Sequence, residues 1–362
     1  MTASDPSLFR LLGKKVLITA AVAALATALA GIFSAGGASS VLTFAVSAVA
    51  LAALASLVGD GTEQLGARLG PGATGILQSG LGNLPELFIA IFALREGLVK
   101  VVQAALVGSI LGNSLLVLGL AFIVGGLRNG RQQFRSEPPQ LIAIMTLVGV
   151  AAVAVPTLAA QVGTPAANHE EALSVVVAIV LLIIFIGSLT YVLRGGDMAV
   201  SSPHDDAGAP WPPIVAIVVL GASAVAAAFV SDWFVSALQP ATASLGISQG
   251  FTGLIIVAIA GNAVENVVGI QFAAKNQADL AVSVILNSSL QVMLALIPAL
   301  VLLSFVIGGA HLTLVLSPLL VASLALTAIL TAIIVQDGES TWIEGVALVG
   351  LYAIIGAGFW WG

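Results

Sequence analysis

The sequence predicts an all-α polytopic membrane protein of about eleven transmembrane helices, a leading helix followed by two inverted five-helix repeats. Three observations lead there. Of the 362 residues, 59% are hydrophobic and only 8% charged, so lipid rather than water is the outer solvent. About eleven apolar stretches of roughly 18–27 residues can be drawn, each long enough to cross a hydrocarbon core. Two polar motifs, Gly82-Asn83-Leu84-Pro85-Glu86 and Gly261-Asn262-Ala263-Val264-Glu265, lie inside such stretches at an offset of 265 − 86 = 179.

The stretches cover residues 16–33, 40–58, 75–94, 99–124 and 139–160, then 172–193, 214–238, 252–274, 280–306, 312–335 and 343–361. The first follows Arg10, Lys14 and Lys15 as a signal peptide would. It outruns a signal h-region and no convincing cleavage site interrupts it, so it is read as a span. Counting from the N-terminus puts Arg10, Lys14, Lys15, Arg68, Arg128, Arg131, Arg135, Arg194 and Lys275 on one side and only Arg95 and Lys100 on the other. That bias predicts a cytoplasmic N-terminus and an external C-terminus. The least apolar connector holds Gly195-Gly196-Asp197, His204-Asp205-Asp206 and Trp211-Pro212-Pro213, the composition of a solvated acidic linker.

The chain therefore divides into a tail and first helix (1–38), a first five-helix repeat (39–194), the linker (195–213) and a second repeat (214–362). Five is odd, so the second set must cross the membrane in the opposite sense to the first. The same 179-residue offset carries Ser109 onto Ser288, Ile91 onto Ile270 and Leu111 onto Leu290.

Composition also closes off chemistries. There is no cysteine, which excludes disulfides, thiolate metal sites and cysteine nucleophiles. No basic, aromatic-interleaved stretch suits nucleic acid. No hydrolase motif falls within a span, so a transporter rather than an enzyme is expected, without a cofactor. The expected partners are the lipid bilayer and transported cations, and the chain is compatible with a homo-oligomer.

A charge at the bilayer centre costs about 2.5–3.5 kcal/mol on insertion scales, so two buried glutamates need a reason. Glu86 and Glu265 each lie near the middle of their spans, and inverted repeats would bring them together as a cation site. Asn83 and Asn262 stand beside them, and Pro85 should kink the third span near residues 80–82, freeing carbonyls for a cation. The spans that follow contribute Ser109 and Asn113, four residues apart, and Ser288 and Gln291, three apart, each pair on one helix face. Carboxylate, amide and hydroxyl oxygens without thiolate or intramembrane histidine suit a hard cation such as Ca²⁺. Two carboxylates can neutralise one divalent ion or take two protons, which is an exchange mechanism.

Each residue also has a plainer reading. A lone membrane glutamate can bond a neighbouring helix, asparagines can glue helices together and serines can bond back to helix carbonyls. It is the matched pair of motifs that favours a site. Asp60, Glu63 and Arg68 read as a solvated connector, His169, His204 and His311 as loop residues, and Trp360-Trp361 as an interfacial belt.

At these motifs the chain resembles the calcium/proton antiporters, the cation/proton exchanger (CAX) family of the cation/calcium exchanger superfamily. The stretch G-T-E-Q-L-G-A-R-L-G-P-G-A-T-G-I-L-Q-S-G-L-G-N-L-P-E-L-F-I-A-I-F-A-L-R-E-G, from Gly61, and G-S-I-L-G-N-S-L-L-V-L-G, from Gly108, are similar to the first repeat signature. G-N-A-V-E-N, A-A-K-N-Q-A-D-L-A and N-S-S-L-Q-V are similar to the second. The resemblance implies exchange of cytosolic Ca²⁺ for external H⁺ by alternating access, with Glu86 and Glu265 as alternately protonated ligands. It also makes Glu63 a candidate cytoplasmic entry acid and Gln78 a supporting polar residue. Compact loops and short tails point to a prokaryotic plasma membrane.

The chain departs from the family pattern at three places. Leu84-Pro85 replaces the usual Ala-Thr before the first glutamate and resembles the Leu-Pro-Glu of sodium/calcium exchangers; Gln78 stands where Asn is common, and Asn266 where His is typical. An Na⁺ or K⁺ exchanger, or an Na⁺/Ca²⁺ exchanger, on the same fold is therefore the alternative. A cation channel fits less well, because channels usually build glutamate rings from symmetric subunits.

Overall fold

A computed structural model describes residues 8–69, 81–193 and 211–361. In chain order the helices are α1 (Leu8–Gly36), α2 (Ser40–Leu69), α3 (Leu84–Arg95), α4 (Val99–Asn129), α5 (Glu137–Val162) and α6 (Glu170–Leu193). They continue as α7 (Pro213–Leu245), α8 (Gln249–Gly261), α9 (Ala263–Ala274), α10 (Ala278–Ser304), α11 (Pro318–Ile334) and α12 (Trp342–Trp360). Short π-helical segments interrupt α4 at Gly112–Val117, α8 at Thr252–Val257 and α10 at Val292–Leu296.

Among the described residues eight helices are long and apolar enough to span a membrane, and Gln249–Gly261 and Pro318–Ile334 are shorter apolar helices. The protein is an all-α integral membrane protein, as the composition requires. The count of eleven spans is not reproduced among the described residues, in part because the predicted third span runs back into residues 70–80, outside them.

Two predicted spans take a different form. The stretch 252–274 divides at Asn262, and 312–335 begins as non-helical chain with a bend at Leu314, with helix only from Pro318. The Ser317 side chain caps that helix by accepting the Leu320 N–H, and Pro318 occupies a first-turn position where a missing N–H costs nothing. Apolar length alone could not distinguish a buried non-helical segment from a helical one. The second predicted span also ends later, since α2 continues to Leu69 and carries Asp60, Glu63 and Arg68 on its last turns. Gln64, Leu65, Ala67 and Arg68 are good helix formers and extend it without needing lipid.

One compact unit comprises Met1–Ile89 and Ser202–Leu245. Within it α2 and α7 pack side by side: the rings of Phe44 and Phe234 stack at 4.6 Å, and a Cβ on Gly61 would stand 3.0 Å from Leu220 Cβ. The paired numbers run in opposite senses, so the two helices are antiparallel. Gly31 lets α1 lie against the indole of Trp233. Trp211, the first described residue of the predicted linker (195–213), is buried rather than solvated; its N–H donates to Gln64 Oε1 at 2.9 Å and its carbonyl accepts from Arg68 Nη2. The acidic cluster His204-Asp205-Asp206 lies outside the described residues.

The second unit comprises Ala90–Ser201 and Gly246–Gly362. Its interior helices are α4 and α10, each largely buried, whereas most of α6 is not. Gly119 and Gly345 bring α4 and α12 into backbone contact. Two peripheral loops pair as a small antiparallel ribbon, Gln132 opposite Ser340 and Gln133 opposite Glu339. Beside it Arg131 Nη1 meets Glu339 Oε2 at 2.7 Å. Both side chains are solvated, so Arg131→Ala should change unfolding stability by less than about 1 kcal/mol, read as the midpoint of thermal unfolding in detergent.

The non-helical chain before α11 threads between helices as a strap. A buried non-helical segment outside any sheet must find partners for its backbone elsewhere. Here four helices supply them: Leu312 N–H donates to Ser304 Oγ, Leu314 N–H to Ser174 Oγ and Leu316 N–H to Thr157 Oγ1. Thr157 Oγ1 donates in turn to the Leu314 carbonyl, and Gln103 Nε2 to the carbonyls of Thr313 and Val315. The side chains of Leu312, Leu314 and Leu316 are buried.

Around the two motifs the halves also match in the bounds of their elements. Adding 179 to α3 (84–95) gives 263–274, the bounds of α9, and Val99, the first residue of α4, maps to 278, the first of α10. The π segment at 112–117 maps to 291–296, against the observed Val292–Leu296. Gly97, with φ +75°, maps to Asn276, the one non-glycine residue with positive φ among those described (61°).

Candidate cation site

The two motifs sit where helices begin. In the first, the chain turns at Gly82 and Asn83 and α3 starts at Leu84, so Pro85 is its second residue. The first four N–H groups of a helix have no internal acceptor, so proline there breaks nothing. The kink expected from Pro85 is thus a helix start. Glu86 falls in the first turn, where the positive end of the helix dipole favours an anion. Both Asn83 and Glu86 are buried, at 7% and 8% exposed, and Asn83 Nδ2 has no hydrogen-bond partner among the described residues.

In the second motif Asn262 takes a non-helical conformation (φ −98°, ψ 20°) and α9 starts at Ala263. Glu265 is its third residue, as Glu86 is the third of α3. The Glu265 side chain lies outside the described residues, and so does Gln78. Glu63 is exposed on α2.

Within the second unit, an amide and hydroxyl network joins α4, α8 and α10. Asn262 Nδ2 donates to Ser109 Oγ at 2.9 Å and to the Ala258 carbonyl at 3.0 Å. Asn113 Nδ2 donates to Ser288 Oγ at 2.9 Å and reaches Asn262 Oδ1 at 3.5 Å. Asn113 Oδ1 is buried without a hydrogen-bond partner among the described residues. Four of the predicted polar residues, Ser109, Asn113, Asn262 and Ser288, are therefore brought together. Gln291 is buried beside the π segment of α10 but takes no part in these bonds.

The sequence reading missed one pair: Ser114 Oγ lies 3.0 Å from Ser289 Oγ. Consecutive residues on an α-helix point about 100° apart, since a turn takes 3.6 residues. Asn113 and Ser114 both reach α10 because they lie in the π segment, where the turn is wider. The tandem polar pairs Asn113-Ser114 and Ser288-Ser289 inside apolar runs were the available signal. The assembled donors and acceptors are amide and hydroxyl groups, whose oxygens are hard-cation ligands.

The chain is 34% identical over 340 residues to a Ca(2+)/H(+) antiporter of Synechocystis sp., covering 87% of this chain and 90% of that protein. It is 35% identical over 325 residues to the Ca(2+)/H(+) antiporter ChaA of Bacillus subtilis, with 88% and 92% covered. The solved structure of native YfkE superposes with a TM-score of 0.81 at 33% identity, covering 94% of this chain and 99% of that one. The H+/Ca2+ exchanger CAX shares the fold at 14% identity, with a TM-score of 0.72. The sodium/calcium exchanger protein family matches residues 39–194 and 215–361, which take in both glutamate motifs. With each half matched in turn, the chain belongs to the sodium/calcium exchanger protein family.

Proposed function

We propose that this protein is a secondary active antiporter that exchanges cytosolic Ca²⁺ for external H⁺ by alternating access. Glu86 and Glu265 are the carboxylates that bind cation or protons, assisted by Asn83, Asn262, Ser109, Asn113 and Ser288. The observation that carries this reading is the repeated glutamate at the third position of α3 and α9, in a chain whose 34–35% identical relatives are named as Ca²⁺/H⁺ antiporters. Ca²⁺ prefers six to eight oxygens in flexible geometry, and buried carboxylate, amide and hydroxyl groups meet that preference. Protons and Ca²⁺ then compete for the same carboxylates, which couples the two fluxes. Gln291 and Gln78 are supporting or gating polar residues and Glu63 a cytoplasmic entry acid in this reading. The basic bias of the loops orients the N-terminus to the cytoplasm and the C-terminus outward in a prokaryotic plasma membrane.

Leu84-Pro85 favours a second reading, Na⁺ or K⁺ in place of one of the two substrates. One assay separates them: radiolabelled Ca²⁺ uptake into inverted vesicles with an imposed acid interior. Uptake abolished by a proton ionophore supports Ca²⁺/H⁺ exchange. Uptake that follows an Na⁺ or K⁺ gradient and ignores the ionophore would replace it with the second reading.

A further inference from the structure

The segment that delivers Asn262 to the network meets α4 with almost nothing between the two backbones. A Cβ placed on Gly108 would lie 2.1 Å from the Leu254 carbonyl oxygen and 2.7 Å from Leu254 Cα. A Cβ on Gly253 would lie 2.5 Å from the Val101 carbonyl oxygen and 2.8 Å from Ala104 Cβ. The glycines are reciprocal: each faces the other helix's main chain, and main chain cannot move aside as a side-chain tip can. The contact falls between α4 and the π segment of α8, just before the helix break at Asn262.

Neither glycine is needed for its backbone conformation, since both lie within helices and neither has a positive φ. Glycine in a helix interior costs about 1 kcal/mol relative to alanine, so the chain gives up helix stability at both places. What it gains is proximity. Ser109 follows Gly108 directly, and its Oγ accepts from Asn262 Nδ2 at 2.9 Å. Asn262 is also the last residue before α9, the helix that carries Glu265. Hydrogen bonds of this kind span only about 2.7–3.2 Å, so a methyl group forced between the backbones would break it.

We infer that Gly108 and Gly253 are positioning residues for exchange: by placing backbone on backbone they hold Asn262 in register with Ser109 at the start of the Glu265 helix. Neither touches the cation, and the inference rests on the antiporter reading only for its transport readout. A glycine that mattered only for folding would lower the amount of active transporter and leave its apparent affinity alone. A positioning glycine shifts affinity in the molecules that do fold.

The test has a geometric arm and a transport arm. The chain has no cysteine, so a Ser109→Cys/Asn262→Cys pair can be bridged by Hg²⁺ without background. Bridging should be efficient in that pair and at least about tenfold slower when Gly253→Ala is added. In proteoliposomes, Gly253→Ala should raise the KM for Ca²⁺ at least about tenfold per folded transporter, with Vmax within about twofold. Gly350→Ala, at an exposed position with nothing within 4 Å of the new methyl group, should match the parent in KM. Should Gly253→Ala not fold, Ser109→Ala removes the acceptor without moving either backbone and should raise KM in the same direction. Unchanged bridging in Gly253→Ala, or an unchanged KM in Gly253→Ala or Ser109→Ala, overturns the inference. A parent that transports no Ca²⁺ while bridging still depends on Gly253 overturns the antiporter reading and leaves the geometry standing.

Discussion

Glu265→Gln transporters should accumulate no Ca²⁺ above the ionophore-treated background, and Glu86→Gln transporters should behave alike. Glutamine keeps the size of the side chain and much of its hydrogen bonding but removes the charge and the titratable proton. One carboxylate left alone can neither neutralise a divalent ion nor exchange it for two protons. We expect a loss of at least a hundredfold, about 2.7 kcal/mol at roughly 1.4 kcal/mol per decade. The measurement is initial uptake in inverted vesicles, normalised to folded protein. Parent-like uptake in either variant would remove that glutamate from the mechanism. The Glu→Asp variants sharpen the test: charge is retained but the oxygens retreat by one methylene, so activity should fall less than in Glu→Gln.

Thr157→Val should be the most destabilising conservative change in the strap region. Valine has nearly the shape of threonine, so packing is preserved, but two backbone groups lose their partner. Thr157 Oγ1 accepts from Leu316 N–H at 2.9 Å and donates to the Leu314 carbonyl at 3.1 Å. Leaving a buried polar group unsatisfied costs about 1–3 kcal/mol, so the variant should lose about 2–6 kcal/mol. Thermal unfolding would show the loss, and hydrogen exchange would place it at Leu314 and Leu316 rather than across the whole chain. If neither changed, the strap would not depend on its hydroxyl partners.

How much of this was legible in the residues differs from feature to feature. The membrane class needed only composition, because a chain with 8% charge cannot cover a water-facing surface. The two carboxylate motifs were legible because glutamate and asparagine are costly in lipid and therefore stand out against an apolar background. Ser109, Asn113 and Ser288 were found by helical spacing. Ser114 was not, because it lies in a π segment that departs from the 3.6-residue period on which such spacing relies, and its partner Ser289 directly follows Ser288 on a regular helix, outside the i, i+3 and i, i+4 spacings. The strap was misread for a related reason. Leu312, Leu314 and Leu316 are as apolar as the helix that follows, and what keeps them non-helical lies on Gln103, Thr157, Ser174 and Ser304, far away in sequence. Local pattern carries no record of partners that distant.

The matched irregularities of the halves also bear on descent. A leucine can drift to valine or alanine without disturbing its neighbours, and most apolar positions here have drifted beyond recognition. A wide helical turn or a left-handed residue is different, because it redirects everything after it. The two halves keep a π segment at the same place, and a left-handed residue at Gly97 and Asn276 and again at Gly130 and Gly309. Such backbone features mark the correspondence between the halves where the apolar side chains no longer do.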